Sequence, residues 1–427
     1  MAGIIHSIKT SGFIKNVATL ISGKGLEAII GFGLMPVVTR IFSPQDYGVA
    51  ASLAATATII IPLATFSYQS AIVFTKNSDQ EAALFKIVLI GACLVSLGTM
   101  ISLWANESFS LFTLESGLSD WFWVIPVYVM IRVFFLCLEQ MLIKRREYKW
   151  LSYSGVLSVS AAMGLRLAWG GIQGSDVVIL IAAYTLGFLV KIFIYVSKIK
   201  NFGKQLLSPF GSRSLASVAR DYSDFPKFQM VGTFFRSMAN NLPVTLFVTL
   251  YSPEVAGVYA MTLAISRRPL EMLLVCYRSV FIQESAKIQD DFILLRKLFL
   301  KHTFGIVVIG GVSSLILFWG APMLLPWLLG PKWAEVGIYL QILVPWLFSL
   351  LLSLPAASMY IVIRKQRVWA QISIFESILR VVVILAGSYL NLTMANVLWA
   401  YSIIGAISAI IIVLIVDKLL LKGEKRV

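Results

Sequence analysis

The chain reads as an all-α integral membrane protein of about twelve transmembrane helices in two six-helix, pseudo-symmetric halves. Three observations predict this: the hydropathy of the 427 residues, a one-sided distribution of charge between alternate loops, and a motif that recurs at half the chain length. Hydrophobic residues make up 58% of the chain and charged residues only 13%, against roughly 25% charged in a soluble domain. With so little charge and so much apolar side chain, hydrocarbon is the solvent this chain is built for.

A crossing needs about 20 apolar residues, and on that rule spans centre near residues 25, 61, 94, 132, 161, 187, 238, 269, 315, 349, 380 and 407. An even number returns both termini to one side. The two tails and the loops that follow even-numbered spans hold 25 of the 36 Lys and Arg residues, whereas the opposite loops hold only Arg40 and Lys332. The positive-inside bias therefore predicts cytoplasmic termini. The same bias accounts for most of the formal charge of +15, so the basicity implies no nucleic-acid partner. The first apolar stretch, 13–38, is longer than the roughly 7–15 residues of a signal-peptide core and is expected to remain as span one. No loop exceeds about 30 residues, too few for an independent domain of roughly 50 or more. Function is expected inside the membrane region, with six-helix halves at 1–200 and 226–427 joined by a cytoplasmic linker at 201–225.

The repeat supports that division. Ser43, Pro44, Gly48, Val49 and Ala51, after span one, recur as Ser252, Pro253, Gly257, Val258 and Ala260 after span seven, an offset of 209. Pro suits the first turn of a helix, Ser caps it, and Asp46 or Glu254 meets the positive end of its dipole. A weaker echo links IKRREYKW from Ile143 to IRKQRVW from Ile363. Two parallel six-span units related by an axis along the membrane normal place a substrate site near mid-depth between them.

The chemistry lies in nine bases inside the apolar spans: Lys24, Arg132, Arg166, Lys191, Arg236, Arg267, Arg268, Arg278 and Arg380. A cation at the bilayer centre costs roughly 2.5–3.5 kcal/mol on insertion scales, so such residues face a polar interior and mark a functional path. Their sign points to an anionic passenger. Lys24 with Glu27, Arg267 with Glu271 and Glu376 with Arg380 are three or four residues apart and can neutralise one another on one helix face. Lys191, near a span end, can snorkel to the interface, and Arg166 falls in the outer half of a short span. Arg132 and Arg236, with no acid within a turn, and Arg268, before Pro269, are the best substrate contacts, with Arg278 placed to receive the passenger near the cytoplasmic face. Lys24, Arg267 and Arg380 are secondary candidates. Glu27 and Glu271, and less strongly Glu139 and Glu376, are candidates for ion or proton coupling. Asn240, Asn241, Gln69 and Tyr68 are polar enough to meet sugar hydroxyls.

Other chemistries find little support. Cys93, Cys137 and Cys276 show no CxxC spacing, and His6 and His302 are far apart, so no metal site is expected. The Gly-Lys pairs at 23–24 and 203–204 lack the other residues of a P-loop. No cofactor is expected, and the chain is not expected to be an enzyme.

TRIFSPQDYGVAA at 39–51, the twelve-span layout and the basic cluster from Lys144 resemble the Wzx-type polysaccharide flippases of the multidrug/oligosaccharidyl-lipid/polysaccharide exporter superfamily. The resemblance implies a bacterial inner-membrane protein that moves an undecaprenyl-pyrophosphate-linked oligosaccharide, such as an O-antigen unit, to the periplasmic leaflet. It also implies alternating access around a cationic cavity, with H+ or Na+ as coupling ion and other polysaccharide-assembly proteins as partners. Two alternatives stand beside it. A small-molecule antiporter of the same fold should have an acid-lined cavity, whereas the spans here hold more bases than acids. A membrane-embedded polymerase or glycosyltransferase could use the same arginines on the same lipid.

Overall fold

Hydrocarbon offers no hydrogen bonds to a backbone, so a crossing segment must satisfy its own N–H and C=O groups, and a helix does so within one segment. A computed structural model describes residue 19 and residues 22–109, 121–199 and 215–424, except for the side chains of 106–109, 268, 272, 273, 275, 276, 279, 366 and 424. Span one is α1 (residues 22–33) and α2 (Met35–Ile41), broken at Leu34 ahead of Pro36. Then follow α3 (Pro44–Thr65), α4 (Ser78–Phe109), α5 (Val124–Lys144), α6 (Tyr148–Gln173), α7 (Val177–Lys198) and α8 (Val231–Leu250). The remainder is α9 (Pro253–Ala286), α10 (Phe292–Leu329), α11 (Ala334–Val362), α12 (Gln366–Tyr389) and α13 (Met394–Glu424). Each expected span has its helix.

Among the described residues nine helices are long and apolar enough to cross a membrane, and α8 and α9 are not among them. Length is not their shortfall, at 20 and 34 residues. They are too polar: α8 carries Arg236, Asn240 and Asn241, and α9 carries Arg267, Arg268, Glu271 and Arg278.

Contacts divide the chain into two compact units, Met1–Thr249 and Leu250–Val427. In the first, α5 packs on α3, α4 and α7, and α6 lies along α7. In the second, α11 is the central rod against α9, α10 and α13, and α12 leans on α13. One end of the second unit is sealed by Phe281, Leu295, Phe299, Met359, Tyr360 and Val416.

Both copies of the Ser-Pro motif begin a helix in the same way. Ser43 and Ser252 are extended N-caps whose hydroxyls accept from the backbone N–H of Asp46 and Val255, each at 3.2 Å, with Pro44 and Pro253 starting the helix. The weaker echo is also structural. Arg146 and Arg364 are both left-handed (φ 59° and 54°). The next residue donates five positions back in each case, Glu147 to Leu142 at 3.0 Å and Lys365 to Tyr360 at 2.8 Å. That is a Schellman ending, and it turns α5 into α6 and α11 into α12 alike.

Basic loop residues do more than set topology. Glu81, at the start of α4 and 3% exposed, accepts from Lys144 Nζ at 2.7 Å and Arg145 Nη2 at 2.6 Å at the end of α5. In the second unit Arg296 of α10 pairs with Asp417 of α13 at 2.8 Å. Removing one partner of a buried pair strands the other, at about 3 kcal/mol or more. Glu81→Gln is therefore expected to lower the melting temperature in detergent clearly, while Arg296→Gln, whose pair is more exposed, costs less. Equal melting of both variants and wild type contradicts this assignment.

Candidate functional site

The first unit gathers five charges from three helices. On α1, Lys24 Nζ donates to both carboxylate oxygens of Glu27, at 3.1 and 3.0 Å. Glu27 is 14% exposed in its side chain against 61% for Lys24, because the carboxylate lies in a slot on α6 where Gly155 has no side chain. A Cβ at 155 would overlap the Glu27 carboxylate. Glu139 of α5 and Lys191 of α7 stand in the electrostatic field of this pair, of each other and of Arg132. Three bases thus face two acids, leaving one positive charge in surplus.

Arg132 keeps its charge available. Its guanidinium lies over the Phe188 ring, 4.5 Å from the centroid, and among the described residues its buried Nε has no hydrogen-bond partner. Lys191 lies 5.5 Å from the Phe135 centroid. An aromatic face stabilises a desolvated cation by up to about 2 kcal/mol without neutralising it. Lys191 is partly buried, in the field of Glu27 and Glu139 and equally of Lys24 and Arg132. The expectation for Arg166 is corrected. Its helix is 26 residues long, not short. Its side chain is buried over the Tyr184 ring at 4.7 Å, with a 3.9 Å contact to the Met163 sulfur.

In the second unit two of the intramembrane bases have a carboxylate partner. Arg267 pairs with Glu271 at 2.8 Å and Arg380 with Glu376 at 2.5 Å, as the spacing predicts. Both guanidinium groups share the Trp346 ring, at 5.7 and 5.1 Å, and Arg380 also lies over Tyr401 at 4.7 Å. Arg236 and Arg278 are exposed. The Arg268 side chain is outside the described residues. Tyr68 donates to the Ala219 carbonyl at 3.0 Å and Asn241 to that of Ser237 at 2.9 Å, so both already have structural partners. The buried Gln69 oxygen has none among the described residues.

Two features escaped sequence reasoning. The Glu81 lock joins residues 63 and 64 apart, and no local spacing announces it. The Glu27 slot had a signal: Ser152, Gly155 and Ser158 form a small-residue stripe of the kind that lets membrane helices approach closely.

The comparisons can be read against this geometry. Residues 13–282 match the family model described as polysaccharide biosynthesis protein, well over half of the chain. The chain belongs to that family. The matched stretch includes all five charges of the first-unit cluster and, from the second unit, Arg267 and Glu271. No curated protein matches the sequence. Among solved structures, an inward-facing multidrug resistance MATE family transporter of the MOP superfamily superposes with TM-score 0.73 at 14% identity, covering 95% of this chain and 99% of that one. The lipid II flippase MurJ in an inward closed conformation gives 0.68 at 13% identity, over 95% and 89%. A MOP superfamily transporter from Pyrococcus furiosus, whose binding pocket is described as of reverse polarity, gives 0.50 at 15% identity, over 97% and 93%. This polysaccharide biosynthesis family member is accordingly a multi-pass membrane protein with the MOP fold.

The slot at Gly155 makes a prediction whose sign depends on its partner. Gly155→Ala should destabilise the wild type, because the new methyl displaces Glu27. In a Glu27→Ala background the same change should be neutral or stabilising by up to about 1 kcal/mol, the usual gain of Ala over Gly in a helix. A thermal double-mutant cycle reads both; additive effects contradict the slot.

Proposed function

We propose that this protein is a flippase that carries an undecaprenyl-pyrophosphate-linked oligosaccharide from the cytoplasmic to the periplasmic leaflet of a bacterial inner membrane by alternating access. The observation that carries the reading is the surplus cation at Arg132, held on a ring rather than on a carboxylate in a member of a polysaccharide biosynthesis family. A pyrophosphate supplies what Arg132 lacks, because a guanidinium binds phosphate oxygens through parallel, charge-assisted hydrogen bonds. Arg236, Arg268 and Arg278 complete the proposed track. Their helices, α8 and α9, are too polar to face lipid all round, which supports a polar interior.

In this reading both termini are cytoplasmic, and 1–200 and 226–427 are the two rocking halves with 201–225 as linker. Glu27 and Glu271 are the proposed coupling carboxylates. Each is already paired with a base, to Lys24 and Arg267, so an incoming H+ or Na+ competes with that base and releases it toward the passenger. The protein transports, and the glycan chemistry belongs to partner enzymes of the same pathway.

Losing a charge-assisted contact costs about 1.5–3 kcal/mol, or roughly 10- to 100-fold in affinity. Arg132→Ala and Arg236→Ala should each reduce flipping of a fluorescent polyprenyl-pyrophosphate oligosaccharide in proteoliposomes by that factor, with normal insertion. Lys at either position should restore only part. Wild-type rates in both alanine variants overturn the site. Glu27→Gln should flatten the dependence of rate on an imposed proton or sodium gradient; an undiminished dependence removes Glu27 from the coupling role.

A further inference from the structure

In the first unit α7 carries Tyr184 and Phe188 four residues apart, a spacing that puts both rings on one helix face, a single turn from each other. The two rings seat arginines from two different helices. Arg132 of α5 lies over Phe188 at 4.5 Å, and Arg166 of α6 lies over Tyr184 at 4.7 Å. Tyr128, one turn before Arg132 on α5, meets Phe188 edge-on at 5.9 Å and stands in the electrostatic field of both Arg132 and Tyr184. Arg132 is eight residues after the start of α5 and Arg166 seven before the end of α6, which runs the opposite way, so both arrive at a similar depth. Two guanidinium groups thus converge on one stretch of α7.

Neither is neutralised there. Among the described residues neither guanidinium has an ion pair, and the buried Nε of each has no hydrogen-bond partner. Arg166 is only 7% exposed, and its polar contact is the Met163 sulfur at 3.9 Å. A buried cation without a hydrogen-bonded counter-charge is strongly unfavourable, and an aromatic face recovers only part of that cost. Two such cations on neighbouring rings add their mutual repulsion. An anion seated between them relieves all three terms together.

The second unit shows the same seat with its charge cancelled. Arg380 lies over Tyr401 at 4.7 Å, but Glu376, one turn earlier, pairs with it at 2.5 Å. One turn before Arg166 stands Ala162. The first unit keeps the ring and omits the carboxylate, which leaves the acceptor position to a ligand. One guanidinium fork satisfies one phosphate, so two forks a helical turn apart suit an anion with two charged centres.

We propose that Arg132 and Arg166 form a two-point site for a diphosphate, one guanidinium on each phosphoryl group, and that Arg166 makes the protein prefer a pyrophosphate-linked lipid to the same lipid with one phosphate. The assignment rests on the flippase reading, in which Arg132 meets the pyrophosphate. Arg166 is then the residue that counts phosphates. Tyr184 is a positioning residue, which holds that guanidinium in place without cancelling its charge.

The test uses full-length protein in detergent and measures displacement of a fluorescent polyprenyl pyrophosphate by unlabelled polyprenyl pyrophosphate and by polyprenyl monophosphate of the same chain length. Wild type should favour the diphosphate by roughly 10- to 100-fold, the worth of one charge-assisted contact. Arg166→Ala should bring that ratio to within about threefold of unity while leaving monophosphate affinity nearly unchanged. Ala162→Glu, which gives Arg166 the carboxylate that Arg380 has, should collapse the ratio without truncating the arginine, and it decides the case should Arg166→Ala fail to fold. Arg166→Lys, the mildest change, should give an intermediate ratio. A preference that survives both Arg166→Ala and Ala162→Glu overturns the proposal, as does an equal loss of both ligands, the result of a purely structural role. A wild type that binds the two lipids equally tightly removes the two-point site and leaves the flippase reading standing. If wild type binds neither lipid, the flippase reading fails with it.

Discussion

Charge inside hydrocarbon is the constraint to which the helix packing answers. Each intramembrane base described here meets it in one of three ways: a carboxylate one turn away, an aromatic face, or exposure on a helix too polar to cross alone. Lys24, Arg267 and Arg380 take the first, with pairs between 2.5 and 3.0 Å. Arg132, Arg166 and Lys191 take the second. Arg236 and Arg278 take the third. The packing follows from these choices. α1 approaches α6 where Gly155 admits the Glu27 carboxylate, and Trp346 of the central rod α11 presents its ring to arginines from two other helices.

The two units differ in how much positive charge survives. A carboxylate partner cancels a guanidinium locally, while a ring lowers its energy and leaves its field intact. The second unit uses both on the same residues, so Arg267 and Arg380 contribute little net field. The first unit uses rings for Arg132 and Lys191 and sets two acids against three bases. The ring-held bases of the first unit and the carboxylate-paired Arg267 and Arg380 of the second are thus two electrostatic treatments of one repeated plan.

Much of this was legible in the sequence, and the limits have physical causes. Span positions follow largely from the length of apolar runs, so a helix stands at each expected span, although α8 and α9 are too polar to pass as crossings by hydropathy alone. The paired charges follow from helical geometry, since Lys24–Glu27 and Arg267–Glu271 lie within one turn. The repeat was readable because Ser43 and Ser252 perform the same capping task, which constrains residue type at fixed spacing. Contacts between helices were not readable. Nothing near Lys144 in sequence announces Glu81, and nothing near Arg166 announces Tyr184; those meetings depend on rotations about helix axes that hydropathy leaves free. Loop bases read mainly as topology, yet Lys144 and Arg145 also clamp α4 to α5.

The fifth and sixth helices of each half show how one arrangement is adapted to opposite electrostatic ends. In α6 and α7, Arg166 lies over Tyr184 at 4.7 Å; in α12 and α13, Arg380 lies over Tyr401, also at 4.7 Å. The arginines are 214 residues apart and the tyrosines 217, against 209 for the Ser-Pro motif, so the contact recurs at about half the chain length without sharing the motif's register. The difference sits one turn before each arginine, where Glu376 precedes Arg380 and Ala162 precedes Arg166. A methyl group in place of a carboxylate leaves Arg166 with a ring and a thioether for company. An uncancelled cation buried at that cost is tolerated where its field is useful. Arg132 lies eight residues after the start of α5 and Arg166 seven before the end of α6, which runs the opposite way after a tight turn, so the first unit carries both bases at a similar depth.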